Sequence, residues 1–278
     1  KDLINFIRLL KNDPKLYMAE QFIGKGYIVA DIKLDFDKFG KVKNNFRIKG
    51  FVNDGQISFL KKKLSKLNFT FEIIDNEFKL NDIKLLLNNK SINIPELTAV
   101  KQKDQFLVSG KIDSKNLSLQ KEDIENFINN DFLKFNVKEI IFSSKSEFSF
   151  KIDKNFKIKN LNFNSKIDLD HLKIDNFLKL KDNFPKIKKN LLLKNQKIEI
   201  DYDKSKTEIT GSGLLFLQEK SDIIEYKITD IKKELIFDIN LKISKNPFII
   251  DLLNYKKIEK SILNLNFKGN YNKKKIVL

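Results

Sequence analysis

Residues 46–59 read FRIKGFVNDGQISF, and residues 106–119 read FLVSGKIDSKNLSL. The two stretches align without a gap. Phe46 meets Phe106, Ile48 meets Val108, Gly50 meets Gly110, Val52 meets Ile112, Ile57 meets Leu117 and Ser58 meets Ser118. Residues 265–278, LNFKGNYNKKKIVL, follow the same plan more loosely, with Phe267, Gly269, Tyr271 and Ile276 in the matching slots. Self-similarity of this kind marks a structure assembled from repeated units. Each unit reads as an extended strand, a kink or turn, and a second strand.

Outward from these phrases the alternation of apolar and polar residues continues. Leu67, Phe69, Phe71 and Ile73 alternate with Asn68, Thr70 and Glu72. Phe106 and Val108, then Phe148, Phe150 and Ile152, repeat the pattern. Leu235, Phe237, Ile239, Leu241 and Ile243 form the longest alternating run, and Leu263, Leu265 and Phe267 lead into the last phrase. A period of two puts successive side chains on opposite faces of a strand. Strands buried on both faces would read as continuous apolar runs. The expectation is therefore a mainly β chain in which an antiparallel sheet has one wet and one dry face. An array of repeated strand units predicts an elongated, curved sheet, with glycines at matching places allowing it to bend. Its concave apolar side would form a hydrophobic groove.

Helical signals are few. Residues 2–12 carry apolar residues at helical spacing and stop before Pro14, so residues 1–25 read as a helical lead-in and 26–278 as the repeating β region. Residues 120–130, QKEDIENFINN, suggest a short helix with acidic residues early. Asn246 and Pro247 suggest a cap for a helix over Phe248 to Lys257. Gly24-Lys25-Gly26 lacks the GK[ST] ending of a phosphate loop and reads as a turn. Residues 173–190 form a lysine-rich connection containing Pro185.

The formal net charge is +17, yet all but Arg8 and Arg47 of the 54 basic residues are lysines. Nucleic-acid readers rely on arginine forks for phosphates and base edges. Lys, Ile and Asn all have AT-rich codons, so base composition accounts for much of the lysine, and no nucleic-acid partner is expected. Lysine does serve at anionic lipid surfaces. The absence of Cys excludes disulfides, thiolate metal sites and a Cys nucleophile. No apolar run approaches the ~20 residues of a membrane-spanning helix. The chain starts at Lys1 rather than Met and ends on IVL, which reads as an excerpt of a longer protein.

No catalytic constellation stands out. His171 is the only histidine, so neither a histidine triad nor a multi-histidine metal site can form. Asp168 with Asp170, and Asp201 with Asp203, lie two apart on strands and lack the loop spacing of a calcium site. They read as solvated positions. No enzyme, cofactor or metal is expected. An outer-membrane barrel would also alternate, but it needs ~9–11-residue strands and aromatic girdles. The strands here read as shorter, and Trp is absent.

The phrase F-x-[IV]-x-G-x-[VI], followed by a second alternating strand, resembles the repeats of the AsmA-like superfamily, which includes the AsmA, TamB and YhdP groups of Gram-negative envelopes. Residues 46–59 and 106–119 carry the resemblance best. The stretch NPFIIDLLNYKKIEKSILNLNFKG, residues 246–269, looks like the end of one such repeat block. The resemblance implies a long β-groove that carries phospholipid across the periplasm, anchored to the inner membrane by a segment outside this sequence and reaching toward the outer membrane. It brings no catalytic residues. The groove-lining candidates are Leu67, Phe69, Phe71, Ile73, Phe106, Val108, Phe148, Phe150, Ile152, Leu235, Phe237, Ile239, Leu241, Leu263, Leu265 and Phe267, with phospholipid acyl chains as the partner. The competing expectation is a non-catalytic envelope protein whose dry faces close into a β-sandwich or jelly-roll core.

Overall fold

The computed structural model describes residues 23–277 apart from 42, 44, 60–61, 75–76, 88, 128–136, 154, 156, 176–186, 189, 232–233, 251–253, 259 and 273–274. The helix expected over residues 2–12 lies outside the described residues. What is described is almost entirely antiparallel strand, as the alternation predicts. The strands are β1 (Ile23–Lys33), β2 (Arg47–Phe59), β3 (Lys62–Ile74), β4 (Glu77–Leu87), β5 (Lys90–Gln102), β6 (Gln105–Gln120), β7 (Val137–Asp153), β8 (Ile158–Asp175), β9 (Asn190–Tyr202), β10 (Lys206–Phe216), β11 (Asp222–Ile231), β12 (Glu234–Ile243), β13 (Phe248–Ile250), β14 (Tyr255–Lys257), β15 (Leu263–Asn272) and β16 (Lys275–Val277). Among the described residues one short helix, α1 (Lys121–Phe127), falls within the stretch where a helix is expected. Hydrogen-bonded neighbours follow chain order from β1 to β12 and continue with β15 and β16, while β13 and β14 pair separately as a hairpin. This order is a meander, with close connections such as residues 103–104 between β5 and β6 and longer ones after β1, β6 and β8.

The chain divides into two compact units. The first holds the residues up to Asp113 together with Glu147–Asn160; the second holds Ser114–Ser146 and Leu161 onward.

In the first unit, directly opposite residues build unbroken apolar rows. Ile32, Ile48, Ile73, Phe78, Ala99 and Val108 face one another across six strands. The next row runs Ala30, Gly50, Phe71, Leu80, Leu97 and Gly110. On the opposite face Asp31, Lys49, Glu72, Lys79, Thr98 and Ser109 form the polar counterpart. Arg47 and Lys49 both pair with Glu72 there, and they hold its carboxyl below the usual carboxylate range.

The second unit repeats the scheme. One apolar row is Ile167, Ile198, Gly211, Tyr226, Ile239 and Phe267; its neighbour is Ser165, Ile200, Ile209, Ile228, Phe237 and Gly269. The polar face carries Lys166, Glu199, Thr210, Lys227, Asp238 and Lys268 in register.

The strands are longer than the sequence pattern suggests. β7 has 17 residues and β8 has 18. Leu161 to Phe163 and Ile167 to Leu169, two short alternating stretches in the sequence, both lie within β8. Short strands therefore give no argument against a membrane barrel. In β8 the break is the buried Ser165, which keeps the parity, whereas in β2, β3, β4, β6 and β9 a bulge shifts the period of two. Asp54 (φ 50), Lys66 (φ 49), Asp82 (φ 53), Asn116 (φ 47), Asn160 (φ 49) and Asn195 (φ 49) take left-handed backbone conformations inside strands. Asp and Asn tolerate that region because their short polar side chains bond locally. Asn68 joins two of the bulges: its Oδ1 accepts from the Asp54 N–H at 2.9 Å, and its Nδ2 donates to the Lys66 carbonyl at 2.9 Å. The kinks in the first two repeat phrases are thus irregularities inside β2 and β6 rather than turns. Only the last phrase is a true strand–turn–strand, β15 to β16.

Two further expectations are corrected. Gly24-Lys25-Gly26 belongs to β1, at a register irregularity against β2, and is not a turn. The helix over Phe248 to Lys257 is instead the hairpin β13–β14. Asn246 does not cap a helix, because its side chain is taken up elsewhere. Its Nδ2 donates to the Lys220 carbonyl and to Asp222 Oδ2, both at 2.6 Å, while its Oδ1 accepts from the Lys220 N–H at 3.1 Å. Phe248 is then drawn into apolar packing that a hairpin can reach.

Candidate apolar binding faces

The repeated glycine acquires its meaning only in register. Gly50 lies opposite Phe71 and Gly211 opposite Tyr226, and Phe237 faces Gly269 in the same way. A Cβ on Gly50 would collide with the Val29 carbonyl oxygen and lie 2.8 Å from Phe71 Cζ. On Gly110 it would lie 2.7 Å from Phe148 Cζ and 2.9 Å from the Glu96 carbonyl oxygen. On Gly211 it would clash with the phenol end of Tyr226, at Cζ. Each glycine is therefore the seat of an aromatic ring from the neighbouring strand, the pairing by which a ring shields exposed backbone. The glycine leaves room for that ring on the apolar face. Burial in that face pushes the Tyr226 phenol up to about 12.

The sequence candidates fall on both units. Leu67, Phe69, Phe71, Ile73, Phe106, Val108, Phe148, Phe150 and Ile152 belong to the first. Phe69 and Phe71 have ring centroids 6.2 Å apart, Phe78 meets Phe106 edge-on at 5.9 Å, and Phe148 stacks on Phe150 at 5.8 Å. Leu67 and Val108 are buried, whereas the phenylalanines stay partly open to solvent. Leu67 packs with Ile83 and Leu85 just beyond the row of bulges.

Leu235, Phe237, Ile239, Leu241, Leu263, Leu265 and Phe267 belong to the second unit. Here the structure separates what the sequence grouped. Leu241 is buried with Leu215, Ile243 and Phe248, and Leu263 and Leu265 pack against that cluster. The hairpin covers this end of the face. Leu235, Phe237 and Ile239 remain partly open, and Phe267 is 45% exposed. Residues missing from the sequence set, among them Ile28, Leu80, Leu97, Ile200, Ile209 and Ile228, share these rows. The same alternation identifies them once each strand is followed to its end.

The second unit also carries polar interruptions. Ser146 and Ser165, both buried, share a hydrogen bond at 2.8 Å, and Ser114 bonds Ser144 at 2.7 Å. Gln196, beside the Asn195 bulge, is buried. Its Nε2 donates to the Leu214 carbonyl at 2.9 Å, and its Oε1 has no partner among the described residues.

The polar faces carry ion pairs between lysines and carboxylates, such as Lys166 with Glu199 and Lys227 with Glu208. In the second unit a shallow concavity of about 490 Å³ is lined by Lys197, Glu199, Glu225, Lys227 and Asp238 among others. Lys206 and Lys227 hold the Glu208 carboxyl below its usual range, and Lys268 does the same to Asp238. His171 is an ion-paired strand residue. Its Nδ1 lies 3.0 Å from Asp170 and its Nε2 3.1 Å from Glu139, and the two carboxylates raise its pKa above the ordinary 6.5. Among the described residues no cluster of His, Cys, Asp or Glu has the make-up of a metal site, and no helix is long and apolar enough to cross a membrane. Comparison with protein-family models, with curated proteins and with solved structures finds no match for this chain.

Proposed function

We propose that the chain is a non-catalytic lipid-binding protein whose apolar faces take up phospholipid acyl chains. The observation that carries this reading is a run of aromatic and aliphatic side chains, Ile228, Phe237, Ile239 and Phe267 among them, that stays partly solvent-exposed on the second unit. Such a face is unfavourable in water and stabilised by contact with hydrocarbon. Each buried methylene adds about 0.8 kcal/mol, so two acyl chains supply ample affinity without directed contacts. Ordered rings on glycine seats give a smooth floor along which chains can slide. Headgroups would stay in water at the rim.

A closed core would bury Ile228, Phe237, Ile239 and Phe267, which instead stay partly exposed. Among the described residues the strands outside the main order are β13 and β14, which cover only one end of the second unit's face. This favours the lipid reading over the sandwich. The AsmA-like resemblance extends the proposal to phospholipid transport in a Gram-negative envelope, with the chain in the periplasm and the membrane anchor elsewhere in the full protein. The test is transfer of a fluorescent phospholipid from quenched donor vesicles to acceptor vesicles by detergent-free protein. Transfer proportional to protein concentration is expected. Transfer no faster than the protein-free rate overturns the proposal.

A further inference from the structure

We infer that the hairpin β13–β14 is a built-in stopper that occupies one end of the second unit's acyl-chain face and sets how far a chain extends along it. The inference rests on reading that face as an acyl-chain surface.

A hairpin of three-residue strands is not stable alone in water, so its position must come from what it packs against and what pins it. Phe248 is buried against Leu215, Leu241 and Ile243, with Leu193, Ile224 and Leu265 around them. These residues lie on the same apolar face, which runs on, uncovered by the hairpin, through Ile239 and Phe237 of β12. The hairpin therefore presents to the sheet the kind of contact a hydrocarbon chain would present.

The pin is polar and enclosed. Lys257 is 2% exposed, and its Nζ donates to the carbonyls of Asn246 at 2.7 Å, Ile258 at 3.1 Å and Ser244 at 3.3 Å. Asp222 Oδ1 accepts from the Ser244 N–H at 3.1 Å, and Gln218 Nε2 donates to the Pro247 carbonyl at 2.6 Å. The connection that enters the hairpin is thus tied to the turn between β10 and β11. An ammonium enclosed by carbonyls holds its segment in one place, because any displacement strands a buried charge.

The test is photolabelling with a diazirine-bearing fatty acid, followed by peptide mapping of wild-type protein and of Lys257→Met. In wild type the label is expected on the strand segments bearing Ile228, Phe237 and Ile239 and absent from those bearing Leu215, Ile243 and Leu263. In Lys257→Met, hydrogen exchange should show a released hairpin, and label should spread to the Leu215 and Ile243 segments. Replacing residues 248–257 with a Gly-Ser linker gives the same readout with the hairpin removed, should the point variant fold poorly or keep its hairpin docked. Label at Leu215 and Ile243 in wild type overturns the stopper alone, as does an unchanged map in the linker variant. No label on either apolar face overturns the acyl-chain reading itself.

Discussion

Phe237→Asp places a carboxylate in the middle of the second unit's apolar row, opposite Gly269 and beside Ile228. The cost to the fold is limited. Phe237 is only partly buried, so the loss falls well below the ~3–5 kcal/mol of a fully buried phenylalanine, at about 1–2 kcal/mol. The cost to binding is larger. An acyl chain crossing this position loses contact for about three or four methylenes at ~0.8 kcal/mol each, or roughly 2.4–3.2 kcal/mol. Every 1.4 kcal/mol is about tenfold, so affinity should fall by roughly 50–200-fold. Ile236→Asp is the matched control. Ile236 sits one residue away on the opposite face, opposite Thr229 and Asn270, and is 44% exposed. It should bind as wild type. Titration with a fluorescent fatty acid gives the affinities, and circular dichroism confirms that both variants fold. Equal affinity of Phe237→Asp and wild type would refute the reasoning, as would equal loss in the two variants, since face selectivity is the whole of the argument.

Other expectations follow from particular contacts. Gly211→Ala should destabilise by about 1–3 kcal/mol in urea titration, because the added methyl meets the Tyr226 ring. Tyr226→Leu in the same chain should recover most of that loss, and additive effects would contradict the glycine-seat account. Gly50→Ala should not be rescued by Phe71→Leu, since its first collision is with the Val29 carbonyl oxygen of the paired strand. His171, held by Asp170 and Glu139, should titrate above 6.5 by NMR. Its contribution to stability is complete below 6.5 and lost as pH rises through the raised folded value, so His171→Gln should flatten that part of the pH–stability curve. Asp153 has its pKa lowered from 3.8 to about 2 by Lys159 and by the backbone N–H groups of Lys157 and Asn155. Its stabilising contribution should persist above about 3.8 and vanish as pH falls through about 2, and Asp153→Asn should remove that acid-side dependence.

The legibility of the chain in its sequence follows from which forces are local. Alternation is local, so the antiparallel β class and the identity of the dry-face residues from Leu67 to Ile73 were readable directly. Bulges are not readable this way. A left-handed Asp54 or Asn195 shifts the parity of everything after it, so one long strand reads as two short ones. The glycine seats needed the register, since nothing near Gly50 in sequence announces Phe71. The hairpin at Phe248 was misread as a helix because Asn-Pro-Phe is a sound helix start in isolation. The residues that hold it, Leu215, Lys220 and Asp222, come from β10, β11 and the turn between them. The covering of Leu241, Leu263 and Leu265 is likewise a tertiary fact with no local signal.

The most direct measurement of the central claim is mass spectrometry of organic-solvent extracts from detergent-free protein purified from cells, with intact-protein mass spectra alongside. The account predicts phospholipid or fatty acid in at least equimolar amount, retained in Ile236→Asp and lost from folded Phe237→Asp. A lipid-free wild-type protein that unfolds cooperatively and takes up no added phospholipid would contradict it.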